Sequence, residues 1–332
     1  MSASSQSSCI SVAMCTYNGS RFLPEQLASI AAQSRLPDEL VICDDGSSDG
    51  TAEIIEEFAR TAPFPVRLIL NIQNLGSTKN FEKAIGLCTG DLIALSDQDD
   101  IWLPHKLARQ AEVMESVVAL GGLFTDAELI DDRSQMLGRR LWPMMLFTLR
   151  KQKRFRAGKA DKVLLNRNIV TGATLMFRAE LRTVFSPIPK SWYHDGWIAW
   201  MLVLYSKLDF IEDSLIWYRI HANQQAGIEN FNRTNQPTFS ERLRVAKREE
   251  PNRYLTIAGE MRELEQRLED SRDRKASIAL CIRHKIEFFQ QRGMPYASHF
   301  ERISWILRNT SNYYRYELGW KCLVRDIVLV FV

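Results

Sequence analysis

The sequence predicts an α/β protein with a mostly parallel sheet flanked by helices, followed by a helical C-terminal region. Three observations support this fold class. Short apolar segments of strand length alternate with segments of helical periodicity through residues 1–130. Two of these apolar segments end in clusters of aspartates. From about residue 235 the apolar spacing is helical to the end of the chain.

The alternation of strands and helices predicts parallel pairing through right-handed crossovers. Pro104 fits the first position of the helix after the fourth strand. Asp49 is expected to cap the helix after the second strand. The predicted strands are Ile10 to Cys15, Leu40 to Cys43, Val66 to Leu70, Leu92 to Leu95 and Gly122 to Ile130.

The fourth predicted strand ends in an acidic cluster that contains Asp97, Asp99 and Asp100. Carboxylates this close repel and raise each other's pKa, and a hard divalent cation such as Mg²⁺ or Mn²⁺ relieves the repulsion and recruits phosphate oxygens. Ligands of open α/β sheets bind at the carboxyl ends of the strands, so Asp44, after the second strand, would face the same crevice. The cluster predicts a metal and diphosphate site; a solvated acidic loop is the alternative.

Charge divides the 332-residue chain, although its net charge is only +3. Residues 1–132 contain twenty Asp or Glu and eight Lys or Arg, whereas the remainder contains twenty and thirty-five. This division predicts a metal-binding catalytic part and a part that meets phosphates or an anionic membrane surface. We expect a catalytic domain at 1–225, with one half at 1–132 and a second half at 133–225, and a helical region at 226–332.

Two segments of the second half are ambiguous. The stretch 133–182 is strongly basic and is expected to be a mobile loop, either solvated or placed at phosphates or a membrane, and 168–177 resembles a further strand. The final residues, Tyr313 to Val332, combine aromatic, basic and apolar side chains. They suit an interfacial membrane anchor or a contact with the core or a partner subunit, as in a homo-oligomer.

The cysteines and the apolar segments indicate the cellular compartment of the protein. The six cysteines form no Cys-x-x-Cys pair, which is typical of a reducing cytosol. Residues 1–8 lack the features of a secretory signal, and no run approaches the roughly 20 apolar residues of a spanning helix. A cytoplasmic protein, soluble or attached to the inner membrane surface, is expected.

Two short motifs in the second half contain further candidates for the site. In the segment WYHDGWIAW, Asp195 could merely cap a helix, but three tryptophans beside an acid are also typical of a sugar pocket, where indoles stack on pyranose rings. Further on, Arg219 and His221 suit an anion-binding group beside a metal ligand.

Several functional classes lack their sequence signals. The chain has neither the Gly-x-Gly-x-x-Gly loop of dinucleotide-binding proteins nor a Walker lysine. No nucleic-acid recognition motif is present, so a nucleic-acid partner is not expected. A nucleotidyltransferase would carry a Gly-rich basic signature near its N-terminus, and the stretch TYNG at 16–19 does not supply one. A non-catalytic carbohydrate-binding or scaffold protein of the same fold is the remaining alternative.

Four motifs in order resemble the inverting glycosyltransferases of family 2 with the GT-A fold. They are TYNG at 16–19, DDGSSDGT at 44–51, NLG at 74–76 and DQDD at 97–100, and the resemblance covers about 10–223. HDGW and YRIHANQ are similar to the bacterial rhamnosyltransferase-like branch, which tends to carry His-Asp-Trp-Trp; Gly196 replaces the first Trp.

The resemblance implies a nucleoside-diphosphate sugar donor and Mg²⁺ or Mn²⁺, with Asp195 as the general base and Asp99 and His221 at the metal. It implies that Asp44 accepts a hydrogen bond from a pyrimidine and that Asp97 meets the ribose. The nucleotide-sugar residues implied are Thr16, Tyr17, Asn18, Asp44, Asp45, Asn74, Lys79, Asp97 and Arg219. The acceptor or sugar pocket implied contains Trp102, Thr171, Gly172, His194 and Trp197.

The resemblance also implies a reaction. A sugar, L-rhamnose from dTDP-rhamnose in the leading hypothesis, would move to a hydroxyl of a glycan or lipid-linked saccharide during synthesis of a bacterial surface polysaccharide such as O-antigen, lipopolysaccharide core or capsule. A UDP-sugar donor (glucosyl, galactosyl or N-acetylhexosaminyl) is the alternative within the family.

Overall fold

The computed structural model describes residues 7–222, 224, 239–268, 276–296, 298–317 and 319–331, with the backbone alone for 239–251. These residues divide into two compact units. The first contains 7–157 and 169–224, and the second contains 158–168 and the described residues from 239 onward. The predicted domain boundary at residue 225 lies outside the described residues.

The first half of the sheet is parallel, with strand order β3-β2-β1-β4, which confirms the α/β class. Its strands are almost wholly apolar because helices cover both faces of a parallel sheet. The strands are β1 (Ile10–Thr16), β2 (Glu39–Asp44), β3 (Val66–Leu70) and β4 (Leu92–Ser96). The helices are α1 (Leu23–Ala31), α2 (Thr51–Thr61), α3 (Ser77–Leu87) and α4 (Lys106–Ser116).

The start of α2 differs from the prediction. Gly50, not Asp49, occupies the N-cap position. The Asp49 carboxylate still accepts hydrogen bonds from the backbone N–H and the hydroxyl of Thr51, and from the backbone N–H of Ser20. Asp49 therefore joins two loops as well as supporting the helix.

The second half of the sheet is mixed rather than parallel. A short strand, β8, is antiparallel to both β4 and β6, whereas β9 is parallel to β6 and antiparallel to β5. The strands are β5 (Ile101–Trp102), β6 (Leu120–Ile130), β7 (Met136–Arg140), β8 (Met176–Arg178) and β9 (Lys207–Arg219). The predicted strand at 168–177 is only partly a strand, since Gly172–Thr174 forms a 3₁₀ helix before β8.

The basic segment expected to be a mobile loop contains short helices. They are α5 (Leu141–Met144), α6 (Leu149–Arg156) and α7 (Ala160–Asn166), and α8 (Arg182–Phe185) and α9 (His194–Tyr205) follow. Within the first unit, Trp142, Phe147 and Phe155 pack with Phe124 and Phe210, with ring centroids 5.0–5.9 Å apart. The expectation was wrong because the few apolar residues among the cations form an aromatic core.

The second unit is helical. Besides α7 it contains α10 (Phe239–Leu268), α11 (Ala276–Gly293), α12 (His299–Arg308), α13 (Thr310–Tyr316) and α14 (Trp320–Phe331). Across the described residues, every helix is too short or too polar to cross a bilayer.

The core of the second unit contains a buried ion pair. The guanidinium of Arg292 donates two hydrogen bonds to the carboxylate of Asp326, at 2.7 and 3.0 Å, and a third to Glu317 at 2.8 Å. The Tyr313 hydroxyl also donates to Asp326. Bidentate geometry and additional donors are the conditions under which a buried ion pair offsets its desolvation.

We expect Asp326→Asn to lower the free energy of unfolding of this unit by roughly 3 kcal/mol, because it leaves a buried guanidinium without its main partner. Urea denaturation followed by circular dichroism measures the change. Glu265→Gln, which removes the more exposed ion pair with Arg283, is the matched control and should cost less than about 1 kcal/mol. Equal losses for the two variants would contradict the role of the buried pair.

Candidate active site

The carboxyl ends of three parallel strands meet at one edge of the sheet. Thr16 at the end of β1 lies opposite Asp44 at the end of β2, and Asp97 directly follows β4. A cavity of about 530 Å³ opens at this edge. Of the residues predicted from the sequence, it is lined by Thr16, Tyr17, Asp45, Asn74, Asp97, Asp99, Thr171, Gly172, His194, Asp195 and His221.

Gln98 ties the loop after β4 to the loop after β1. Its side chain accepts a hydrogen bond from the backbone N–H of Tyr17 and donates one to the Tyr17 carbonyl, at 2.8 and 3.1 Å. A Cβ at Gly19 would lie 2.2 Å from the Gln98 amide oxygen, so glycine is required for this close approach. Tyr17 itself is 51% exposed, which leaves its ring available to a ligand in the cavity.

Asp44 and Asn18 stabilise the loops that border the cavity. The buried Asp44 carboxylate accepts hydrogen bonds from the hydroxyls of Thr16 and Ser47 and from the backbone N–H groups of Gly46 and Ser47. The Asn18 amide oxygen accepts from the backbone N–H of residue 48. Neither side chain is among the cavity-lining groups, and their predicted direct contacts with a nucleotide stay predictions.

Asp45 fixes the turn that precedes α3. Its carboxylate accepts hydrogen bonds of 2.8 Å from the backbone N–H groups of Leu75 and Gly76 and from the side chain of Asn71. The Asn74 amide donates to the Asp45 carbonyl at 3.1 Å. Both predicted residues thus line the cavity and also shape its wall.

Three carboxylates face one another across the cavity. Burial raises the pKa of Asp97, and the nearby carboxylates of Asp99 and Asp195 raise it further. Asp195 lies in the first turn of α9, more than ninety residues from the others in sequence. The site is therefore strongly negative, which favours a cation or a proton among these groups.

Asp99 and His221 form a pair that fits a divalent cation. His221 Nε2 lies 2.8 Å from Asp99 Oδ2, close to the separation of about 3 Å between adjacent ligands of an octahedral ion. In the described parts of the chain, no three His, Cys, Asp or Glu side chains gather to hold an ion by themselves. Mg²⁺ is commonly held by one or two protein ligands together with phosphate oxygens and water, so this pair fits an ion that arrives with a diphosphate.

The two predicted cations lie outside the cavity lining. Arg219 is buried behind the site, where it donates to the backbone carbonyl of Asp99 at 2.6 Å and pairs with Glu25 at 2.5 Å. Lys79 pairs with Glu82 one helical turn along α3. The buried guanidinium of Arg219 holds the acidic loop in place, and its direct contact with a nucleotide stays a prediction.

The predicted tryptophans also lie away from the cavity. Trp102 is 2% exposed and packs under the ammonium of Lys106, 3.8 Å from the ring centroid. Trp197 is 2% exposed and donates its indole N–H to the carbonyl of Phe185. Both rings belong to the apolar core, and their predicted role in a sugar pocket stays a prediction.

His194 is a buried imidazole at the wall of the cavity. Its ring stacks on Phe81 with centroids 3.9 Å apart, and burial lowers its pKa to about 3. Neither ring nitrogen has a hydrogen-bond partner among the described residues. A Cβ at Gly172 would lie 2.6 Å from Nε2, so the glycine makes room for the ring. A neutral imidazole with free nitrogens can hydrogen-bond a ligand hydroxyl.

Some lining residues were missed by the sequence reasoning. Tyr193 is 59% exposed and directly precedes the HDGW motif, which contains His194. Tyr218 is buried and is the first residue of the YRIHANQ motif, which contains His221. Both could have been found from those motifs. Gln98 lies within the DQDD motif, but its role depends on which loops meet in three dimensions, and Phe81 in α3 had no comparable signal.

The polar cavity with clustered carboxylates lies at the carboxyl edge of the sheet, where open α/β sheets bind their ligands. The chain belongs to glycosyl transferase family 2, whose model matches residues 11–183, more than half of its length. It is therefore a nucleotide-sugar glycosyltransferase, and the predicted enzyme class is confirmed.

Similar proteins agree with this family. An uncharacterized glycosyltransferase of Nostoc is 28% identical over 250 residues, covering 67% of this chain and 73% of that one. A Shigella flexneri dTDP-rhamnosyl transferase, RfbG, is 39% identical over 98 residues, covering 28% and 34%. The mannosyltransferase PcManGT of Pyrobaculum calidifontis, solved with GDP-Man and Mn²⁺, has a TM-score of 0.53 at 15% identity, covering 98% of this chain and 88% of that one. Its likeness supports the predicted GT-A fold.

We expect the stability of the protein to depend on pH through His194. The folded-state pKa of about 3 lies below the ordinary value of about 6.5, so the unfolded chain binds the extra proton between these values. The contribution of neutral His194 to the free energy of unfolding is fully present above pH 6.5. It is lost as the pH falls toward 3, by at most about 1.4 kcal/mol per pH unit.

Urea denaturation at several pH values between 7 and 4 measures this dependence. His194→Gln should show a shallower loss of unfolding free energy than the wild type, whereas His105→Gln, at an exposed histidine, should keep the wild-type slope. The same slope in all three proteins would contradict a buried, neutral His194.

Proposed function

We propose that this glycosyltransferase moves L-rhamnose from dTDP-rhamnose to a hydroxyl of a glycan or lipid-linked saccharide, with inversion at the anomeric carbon. One observation carries the proposal: Asp97, Asp99, Asp195 and His221 border a single cavity of about 530 Å³. This is enough room for a sugar nucleotide between a diphosphate-binding pair and a separate carboxylate. The choice of rhamnose is supported by the partial similarity to RfbG, and a UDP-sugar is the alternative donor.

Asp195 is the proposed general base. Its carboxylate accepts the proton of the acceptor hydroxyl, while the hydroxyl oxygen forms a bond to the anomeric carbon. The bond from that carbon to the diphosphate oxygen breaks on the opposite face, and the electron pair leaves with the nucleoside diphosphate. The position of Asp195 in the cavity, on a different element from Asp99 and His221, supports this division of roles.

Asp99 and His221 are the proposed ligands of Mg²⁺ or Mn²⁺, the ion present in the structurally similar mannosyltransferase. When bound, the ion would neutralise negative charge on the departing diphosphate. Arg219 would keep Asp99 in place through the Asp99 carbonyl. Thr16 and the exposed ring of Tyr17 would meet the base, and His194 would hydrogen-bond a sugar hydroxyl.

The wider role we propose is assembly of a bacterial surface polysaccharide at the cytoplasmic face of the inner membrane. A lipid-linked acceptor would be presented there, and the basic C-terminal region suits contact with that surface. The three clustered carboxylates argue against a non-catalytic carbohydrate-binding protein, because their mutual repulsion is costly and serves no purpose in simple sugar binding.

We expect Asp195→Asn to reduce sugar transfer by about 10²–10⁴-fold, since asparagine cannot accept the hydroxyl proton. Donor binding should change little, because the diphosphate-binding pair is intact. Transfer is measured by release of the nucleoside diphosphate, and donor binding by calorimetry. Asp132→Asn, at a surface ion pair of the same unit, is the matched control. Wild-type turnover in Asp195→Asn would falsify the assignment of the base.

A donor panel tests the substrate class and the cation together. We expect dTDP-rhamnose to release nucleoside diphosphate faster than UDP- or GDP-sugars when Mn²⁺ is present. Chelation of the ion should weaken dTDP binding in calorimetry, and Asp99→Asn should remove this metal dependence. A preference for a UDP-sugar would replace rhamnose in the proposal, whereas binding that ignores Mn²⁺ would contradict the roles of Asp99 and His221.

A further inference from the structure

The last helix of the second unit has an apolar surface that no other described part of that unit covers. One side of α14 packs inward through Cys322, Asp326, Leu329 and Val330. The opposite side presents Trp320, Val324 and Phe331, which are 58%, 47% and 68% exposed. These three residues are spaced by four and seven positions, so they lie on one face of the helix.

Neighbouring helices of the second unit carry further exposed apolar side chains. α12 packs against α14, and the ring of His299 lies 6.4 Å from that of Phe331. Phe300 and Leu307 lie on one exposed side of α12 and are 80% and 59% exposed. On α13, Tyr314 is 60% exposed and lies beside Gly319, which precedes α14. We call these six side chains the aromatic patch: Phe300, Leu307, Tyr314, Trp320, Val324 and Phe331.

The charges around the aromatic patch are mainly positive. Residues 298–331 contain five Lys or Arg and three Asp or Glu. Two of the acids, Glu317 and Asp326, face inward as partners of the buried Arg292. The cations Arg308, Arg315 and Lys321 are exposed on the same three helices as the patch. The outward charge of this surface is therefore basic.

We propose that the aromatic patch and its flanking cations bind the surface of an anionic phospholipid membrane. Apolar and aromatic side chains would enter the boundary between headgroups and acyl chains, and the cations would meet lipid phosphates. Trp and Tyr suit this boundary because their rings combine an apolar body with a polar group.

Charge favours a lipid surface over a second copy of this chain as the occupant. A symmetric dimer would place the same patch on both subunits, so the flanking cations would oppose like charges. A lipid phosphate surface complements them. The inference deepens the membrane contact of the proposed function, on which it rests; because it uses residues of the second unit alone, its failure would leave the proposed transfer reaction standing.

Vesicle binding by the full chain tests the proposal. We expect the protein to float with vesicles of phosphatidylcholine containing about 30% phosphatidylglycerol, and to bind vesicles of phosphatidylcholine alone at least about tenfold more weakly, since each cation near an anionic surface adds to binding. Salt at 0.5 M should weaken the binding because the cations are exposed.

Two variants separate the apolar and the charged parts of the surface. Trp320→Ser with Phe331→Ser should reduce binding to anionic vesicles by at least about tenfold, because two apolar side chains are no longer buried. Arg308→Glu with Lys321→Glu should abolish the preference for phosphatidylglycerol. All altered side chains are exposed, so thermal unfolding should be unchanged. The matched controls are Val118→Ser and Arg60→Glu, at exposed positions of the first unit.

Two results would overturn the inference. The first is that the wild type and the serine variant bind anionic vesicles equally well, or that neither of them binds. The other is a concentration-dependent dimer, seen by analytical ultracentrifugation, that the serine substitutions dissociate while vesicle binding stays absent. That outcome would assign the aromatic patch to contact between copies of the chain.

Discussion

The repulsion among the carboxylates at the end of β4 is the constraint on which the site depends. Burial, and then the nearby carboxylates of Asp99 and Asp195, raise the pKa of Asp97, and a fold that brings these groups together must offset that cost elsewhere. Arg219 contributes to this directly: its guanidinium is buried against the carbonyl of Asp99, and its backbone N–H donates to Asp100. β9, which ends in Arg219, thus stabilises the acidic loop with positive charge. The Arg219 side chain does not line the cavity, which stays open to a ligand.

The loops around the cavity are held by one another rather than by their own strands alone. Gln98 joins the loop after β4 to the loop after β1, and Asp49 and Ser47 join the loops after β1 and β2. Asp45 in turn fixes the turn before α3. Because each loop contributes hydrogen-bond partners to the next, the cavity wall is preorganised, which limits the entropy lost when a ligand binds.

The sequence was sufficient to predict the parallel strands and the residues that lie directly at their ends. Thr16, Asp45, Asp97 and Asp99 line the cavity because the register of a parallel sheet brings strand ends to one edge. Arg219 shows the limit of such reasoning. A basic residue in the right motif suggests phosphate binding, but its side-chain direction depends on the pairing of β9 with β5 and β6, which periodicity does not reveal. The inward direction of the Trp102 indole likewise depends on the pairing of β5 with β9.

The second unit shows a different limit of pattern reading. In α14 both sides are largely apolar, so hydropathy alone cannot distinguish the buried face from the exposed one. The distinction comes from Asp326, which is the one acid in the helix and is fixed inward by Arg292 and Tyr313. A buried ion pair therefore contributes to the orientation of this helix, together with the burial of Cys322, Leu329 and Val330. With Asp326 held inward, Trp320, Val324 and Phe331 lie on the opposite side of the helix and face solvent.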